Sequence, residues 1–133
     1  MKIKLIHNKN FDQIFDKIIN FYQPRYEEDY KKVLKNSQLV CFCEENNEII
    51  GVVRVVSDMV KNATIYDLVV RKSDRNKGIG TKLINCAIKE LKKMDISKIC
   101  LTTDSRSPWL VKYYEKLGFK KPQKEHYMLY THI

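Results

Sequence analysis

Residues 71–83 read RKSDRNKGIGTKL, and they stand where one hydrophobic period gives way to another. Before them, ATIYDLVV (63–70) is rich in β-branched and aromatic residues, the composition of a strand. After them, Ile79, Leu83, Ile84, Ala87, Ile88, Leu91 and Met94 fall on one helical stripe, with Lys82, Lys89, Lys92 and Lys93 elsewhere. Gly78 and Gly80 therefore sit at a strand-to-helix turn. Absent side chains let a ligand reach the backbone there, and first-turn N–H groups with the helix dipole favour an anion. A phosphate or pyrophosphate is the natural guest. The segment is neither a GxxxxGK[ST] loop nor a GxGxxG fingerprint.

Upstream, QLVCFCEE (38–45) and EIIGVVRVVS (48–57) flank Asn46-Asn47, which is a hairpin signal. With ATIYDLVV and a polar turn at Lys61-Asn62, residues 38–70 read as an antiparallel meander. KIKLIH (2–7) is a further strand. Asn10 with Gln13 reads as a capping box, opening a helix whose face is Phe11, Ile14, Phe15, Ile18, Ile19 and Tyr22 and which Pro24 ends. Tyr26, Tyr30, Val33 and Leu34 mark a second, shorter helix. Downstream, ISKICLTT (96–103) is a strand, and Ser107-Pro108 reads as an N-cap with proline at the first helical position. That helix runs through Trp109, Val111, Tyr113, Tyr114 and Leu117 and stops at Gly118. A last strand, YMLYTHI (127–133), gives the order βααβββαβαβ. This is a mixed α+β domain with an early antiparallel sheet and a late strand–helix–strand crossover.

At 133 residues, 44% hydrophobic and 31% charged, the chain has the size and composition of one globular domain with its own core. No apolar run approaches the ~20 residues of a membrane span, and MKIKLIHNKN lacks the apolar stretch of a signal peptide, so a cytoplasmic protein is expected. The formal net charge is +9, yet of 25 basic residues only five are Arg, so a reader of base edges is not expected. Cys41, Cys43, Cys86 and Cys100, like His7, His126 and His132, show no metal-ligand spacing. Cys41 and Cys43 share a strand face and read as reduced structural thiols.

Arg75–Gly80 has the form R-x-x-G-x-G, and Tyr114–Phe119 reads YEKLGF inside a helix. With these two motifs, in this element order and at this length, residues 1–133 resemble a single domain of the GNAT-type, acetyl-CoA-dependent N-acetyltransferase family. The resemblance implies a central, mostly antiparallel twisted sheet with a splayed strand pair, flanked by helices. The fourth strand (Ile65–Val70) and fifth strand (Lys98–Thr103) would part to admit the pantetheine arm of acetyl-CoA, which would pair with the backbone of Leu68 and Val70. Its pyrophosphate would lie on the amides of Lys77, Gly78, Gly80 and Thr81, with Arg75 behind the phosphates. Lys77, Lys82, Lys112 and Lys116 are candidates for the nucleotide's 3′-phosphate, and Ser107 stands where many relatives carry a cofactor-contacting Asn.

By the same resemblance, the Leu68 amide would hold the oxyanion and Tyr114 would protonate the departing thiolate. The base stays open between Asp104, at the end of the fifth strand, Asp67, and water alone. Strict alternation turns Asp67 away from the face of Thr64 and Tyr66, and a bulge would be needed to re-aim it. Arg54 and Asp58, four apart, are candidate contacts to an acceptor's carboxylate and amine. The expected reaction moves an acetyl group from acetyl-CoA, as cosubstrate and without a metal, to a primary amine of a small molecule in a ternary complex. The alternatives are a protein N-terminus or lysine as acceptor, or a non-catalytic CoA-binding or sensor domain. Neither membrane nor nucleic acid is expected as a partner, and a homodimer is left open.

Overall fold

Asn46 and Asn47 both take left-handed backbone angles (φ 53° and 63°), which is what a two-residue hairpin turn needs. They join β2 (Leu39–Glu45) to β3 (Glu48–Ser57), antiparallel with Cys41 opposite Val53. In the computed structural model, which describes residues 1–103 and 107–121, this hairpin is the centre of a five-stranded sheet. Its order is β1 (Lys2–His7), β2, β3, β4 (Asn62–Val70), β5 (Lys98–Leu101). The first four strands pair antiparallel and β5 lies parallel to β4. The meander over 38–70 and the parallel crossover are as expected. The expected last strand at 127–133 lies outside the described residues.

The faces of β3 are divided by alternation. Gly51 faces α3 (Ile79–Lys93), the crossover helix. A Cβ at Gly51 would stand 3.0 Å from Leu83 Cδ1 and 3.2 Å from Ile79 Cγ2, so the absent side chain is what lets helix and sheet approach this closely. Ile79, Leu83, Ile84, Ala87 and Leu91, the stripe read from sequence, are all buried. Val52 faces the other way, into a cluster with Val40, Phe42 and residues of α1 (Phe15–Tyr22) and α2 (Tyr30–Lys35), including Ile18, Tyr22, Tyr30 and Leu34. Each fully buried large apolar side chain contributes about 1.5–3 kcal/mol relative to exposure, so both layers are needed.

The first helix departs from expectation. Residues Asn8–Gln13 close as 3₁₀ turns, Asn10 has non-helical angles, and no side chain caps that start. Phe11 is drawn into the core directly after β1, so regular α-helix begins only at Phe15. A side-chain cap is made at α2, where Asp29 Oδ1 accepts from the Lys31 N–H at 3.1 Å. Residues 1–102 form one compact unit, and the chain from 103 onward forms a second that carries α4 (Pro108–Lys116).

Candidate functional site

The site begins with a fault in β4. Val52 pairs with Val69 and Arg54 with Tyr66, so Asp67 and Leu68 together oppose Val53 alone. This is a β-bulge, and its first residue, Asp67, has φ 53°. A left-handed angle is costly for most side chains and least so for Asn, Asp and Gly. The bulge turns Asp67 toward α1 and α2, the face that Tyr66 and Arg54 share. Strict alternation had placed it on the opposite face.

Several groups hold it there. The fully buried Tyr22 donates its hydroxyl to the Asp67 carbonyl at 2.6 Å. Asp67 Oδ2 accepts from Arg54 Nε at 2.8 Å and from the Tyr30 hydroxyl. Arg54 also donates to Tyr30 Oη (3.0 Å) and Ser37 Oγ (3.3 Å), and its guanidinium lies 4.7 Å from the centre of the Tyr66 ring. Tyr26 stacks on Tyr30 with ring centres 4.5 Å apart. Burial pushes the Tyr22 and Tyr30 hydroxyls well above the ordinary tyrosine range, and that of Tyr26 up to about 12. They are proton donors throughout the neutral range.

Beyond the bulge the sheet opens. β4 pairs with β5 only from Asn62 to Ile65, against Lys98 to Leu101. Past Ile65, β4 keeps β3 as its neighbour and, among the described residues, has no strand on its other side. Leu68 and Val70 lie on that open stretch. The Val70 carbonyl accepts from Arg75 Nε at 3.1 Å, so the arginine turns back onto the strand end.

The chain then makes one 3₁₀ turn (Lys72–Asp74) and enters α3 through Asn76 (φ 65°) and Gly78 (φ 79°). Asp74 is buried and anchors the loop, accepting from Arg71 Nε at 2.6 Å and Lys77 Nζ at 3.3 Å. The Arg71 hydrogen bond, seconded by Lys77, holds the Asp74 carboxyl below the usual carboxylate range. Gly78 at the N-cap has no side chain to cap α3, and among the described residues a Cβ at Gly78 would meet nothing within 4 Å. The outer side of the loop is therefore open, with the amides of Lys77 to Thr81 at a helix N-terminus. The basic candidates in this unit are all exposed: Arg75 donates to the Val70 carbonyl, Lys77 to Asp74, and Lys82 stands on the first turn of α3.

In the second unit, Ser107 occupies the N-cap position of α4 and Pro108 the first helical one, although the Ser107 hydroxyl makes no cap bond. The helix ends as YEKLGF implies. Gly118 (φ 101°) donates its N–H to the Glu115 carbonyl at 3.0 Å, and Phe119 donates to the Tyr114 carbonyl at 3.1 Å. The Phe119 ring meets the Tyr114 ring edge-on, centres 6.2 Å apart. Tyr114 is half-buried, and desolvation raises its hydroxyl above the ordinary value. Lys112 and Lys116 belong to the same helix. Asp104, the other candidate base, lies outside the described residues.

The structure does not bring the side chains of Arg54 and Asp58 together. Arg54 is committed to Asp67, whereas Asp58, beyond the end of β3, accepts from the amides of Lys61 (2.8 Å), Val60 (2.9 Å) and Asn62 (3.0 Å). These backbone bonds hold its carboxyl at about 2, below an unfolded value near 3.9. Its stabilising contribution is present above about pH 4 and lost as pH falls through 2. Asp58→Ala should therefore lower the melting temperature at pH 6 and cease to matter near pH 2. A difference that persists unchanged in acid would exclude this role.

The tyrosine hydroxyls around the bulge went unread in the sequence, where Tyr22, Tyr26 and Tyr30 counted as helix faces. Their four-residue spacing was the available signal, since phenylalanine would fill a purely apolar core equally well.

Residues 8–119 match the Acetyltransferase (GNAT) family. An uncharacterized N-acetyltransferase of Pyropia yezoensis is 35% identical over 95 residues, 68% of this chain and 53% of its own length. A histone acetyltransferase of Glycine max is 38% identical over 76 residues, 57% of this chain and 32% of its own. The chain thus spans about half the length of the Pyropia relative and less of the other. A GNAT family acetyltransferase structure from Streptococcus pneumoniae superposes with a TM-score of 0.80 at 20% identity, covering 98% of this chain and 97% of that one. An aminoglycoside acetyltransferase from an uncultured soil metagenomic sample gives 0.73 at 18% identity, covering 99% and 96%. At such identities the structures speak for the fold. The match over 8–119 makes this chain a member of the GNAT acetyltransferase family.

Proposed function

We propose that the chain is an acetyl-CoA-dependent N-acetyltransferase acting on a primary amine of a small molecule by direct attack in a ternary complex. The observation that carries this reading is the succession, among the described residues of one unit, of an open β4 edge behind a bulge and a helix N-terminus entered through Gly78, which has no capping side chain. The two features suit the two parts of one elongated ligand. The edge would take an extended amide-bearing arm, and the open loop would take a pyrophosphate. When bound, acetyl-CoA supplies an activated thioester acyl group.

The residues of the chain do the rest. The amides of Lys77, Gly78, Gly80 and Thr81 bind phosphate, and Leu68 and Val70 orient the arm. The Leu68 amide is a preorganised donor for charge that develops on the acyl oxygen. Tyr114, held protonated by burial, is the proton donor to the leaving sulfur. An amine of Lys-like pKa ~10.4 must first lose a proton. Asp67 Oδ2 is committed to Arg54 and Tyr30, so the favoured acceptor of that proton is water, with Asp104 as its carboxylate relay.

The test is an acetyl-CoA turnover assay that follows free thiol across amines and lysine peptides, beside a thermal shift with CoA. Binding to the folded state alone must raise the melting temperature. Release of thiol with small amines supports the reading, whereas release with peptides alone assigns a protein acceptor. Binding without turnover would leave a CoA sensor. No binding removes the proposal.

Affinity for CoA should also weaken with salt, because screening acts on exposed lysine–phosphate pairs. Lys82→Ala should lower affinity a few-fold and leave saturated turnover near wild type. A larger effect on saturated turnover than on affinity would argue against a phosphate contact.

A further inference from the structure

We infer that Tyr22, supported by Tyr30, is a positioning residue for the Leu68 amide and sets the direction in which its N–H points. The inference rests on the acetyltransferase reading above, in which that amide meets the acyl oxygen. It follows from a covalent constraint. The Asp67 carbonyl and the Leu68 N–H are the two ends of one planar trans peptide group, so they point in opposite directions. Tyr22 Oη donates to that carbonyl at 2.6 Å from inside the α1 layer. Fixing the oxygen toward Tyr22 fixes the Leu68 N–H away from it. The same bond polarises the peptide and makes its N–H a stronger donor.

The need for such a clamp is local. Asp67 is left-handed and lies in the stretch where β3 offers one residue against two, so the ladder alone does not define this peptide plane. Tyr30 and Arg54 complete the hold from the side chain of Asp67, through Oδ2. Tyr22 is fully buried and cannot reach substrate, so its effect must pass through the backbone. Helices α1 and α2 thereby support a backbone donor on the far side of a strand.

The experiment compares wild type with Tyr22→Phe, which keeps the ring and removes the donor. Three quantities are read: the ¹⁵N–¹H shift of Leu68 in the ligand-free protein, the infrared carbonyl stretch of bound [1-¹³C]acetyl-CoA, and turnover against affinity for desacetyl CoA. The Leu68 resonance should move, and the bound carbonyl stretch should return toward its value in water. Turnover should fall about tenfold at unchanged CoA affinity, a fraction of the 10²–10³ that follows complete loss of an oxyanion donor. Tyr30→Phe should shift the same signals in the same direction, and it takes the place of the first variant if that one does not fold. A folded Tyr22→Phe protein with wild-type Leu68 shift and carbonyl stretch overturns the inference, as does an equal loss of CoA affinity and turnover. Wild-type protein that fails to bind acetyl-CoA instead overturns the reading beneath it, and this inference with it.

Discussion

Gly78→Glu should reduce affinity for CoA by at least about a hundredfold while the protein still folds. Gly78 has φ 79°, so any side chain there carries a strain of about 1–2 kcal/mol. That strain is small beside the stability of a typical domain, about 5–15 kcal/mol, and a Cβ at this position adds no clash, since it meets nothing within 4 Å. The loss falls on the ligand. A carboxylate near a phosphate at about 4 Å and an effective dielectric near 20 is repelled by about 4 kcal/mol, and 1.4 kcal/mol is a factor of ten. Side-chain bulk would also cover the backbone amides at the start of α3. Gly78→Asn separates the effects, since asparagine tolerates the left-handed region and adds no charge. Its affinity should fall by less. Calorimetric titration with CoA decides the matter, and a folded Glu variant with wild-type affinity would mean that phosphate lies elsewhere.

Tyr114→Phe should cost turnover rather than binding. The ring stays against Tyr113 and Phe119, so α4 and its glycine stop are kept. Only the hydroxyl is lost. General-acid contributions run about 10²–10⁴-fold, and a thiolate of conjugate-acid pKa ~8.5 is already a fair leaving group, so a fall of roughly tenfold to a few hundredfold is expected. The pH dependence has a defined sign. Desolvation raises this hydroxyl, so the acid is intact at neutral pH, and activity should decline only as pH climbs through a value above the ordinary ~10. The Phe variant should lack that alkaline limb. Equal rates for the two proteins, with chemistry shown to limit, would make Tyr114 a packing residue.

Much of the architecture can be read from local pattern. The stripe from Ile79 to Leu91 is buried as its period requires, Asn46-Asn47 turns the hairpin, and Gly118 ends α4 in the left-handed conformation. Each depends on residues close in sequence, where backbone sterics and helical period act directly. The loop at Gly78 is legible for the same reason. Asn10 misled because the pull of Phe11 into the core outweighed a local capping preference worth about 1 kcal/mol.

The sequence by itself determined the strand–glycine loop–helix unit, the YEKLGF helix end and, through both, the family. Only the tertiary structure decided which way Asp67 faces and what holds it. A bulge is a mismatch in count between two strands, and neither strand shows it alone. Its hold comes from Tyr22 and Tyr30, which stand 45 and 37 residues away from Asp67 along the chain. Arg54 meets Asp67 for the same reason. The extra residue in β4 brings a carboxylate to the arginine's face of the sheet, while three backbone amides already satisfy Asp58 in its turn. Pairings of this kind depend on strand register, which is settled when distant segments pack against one another.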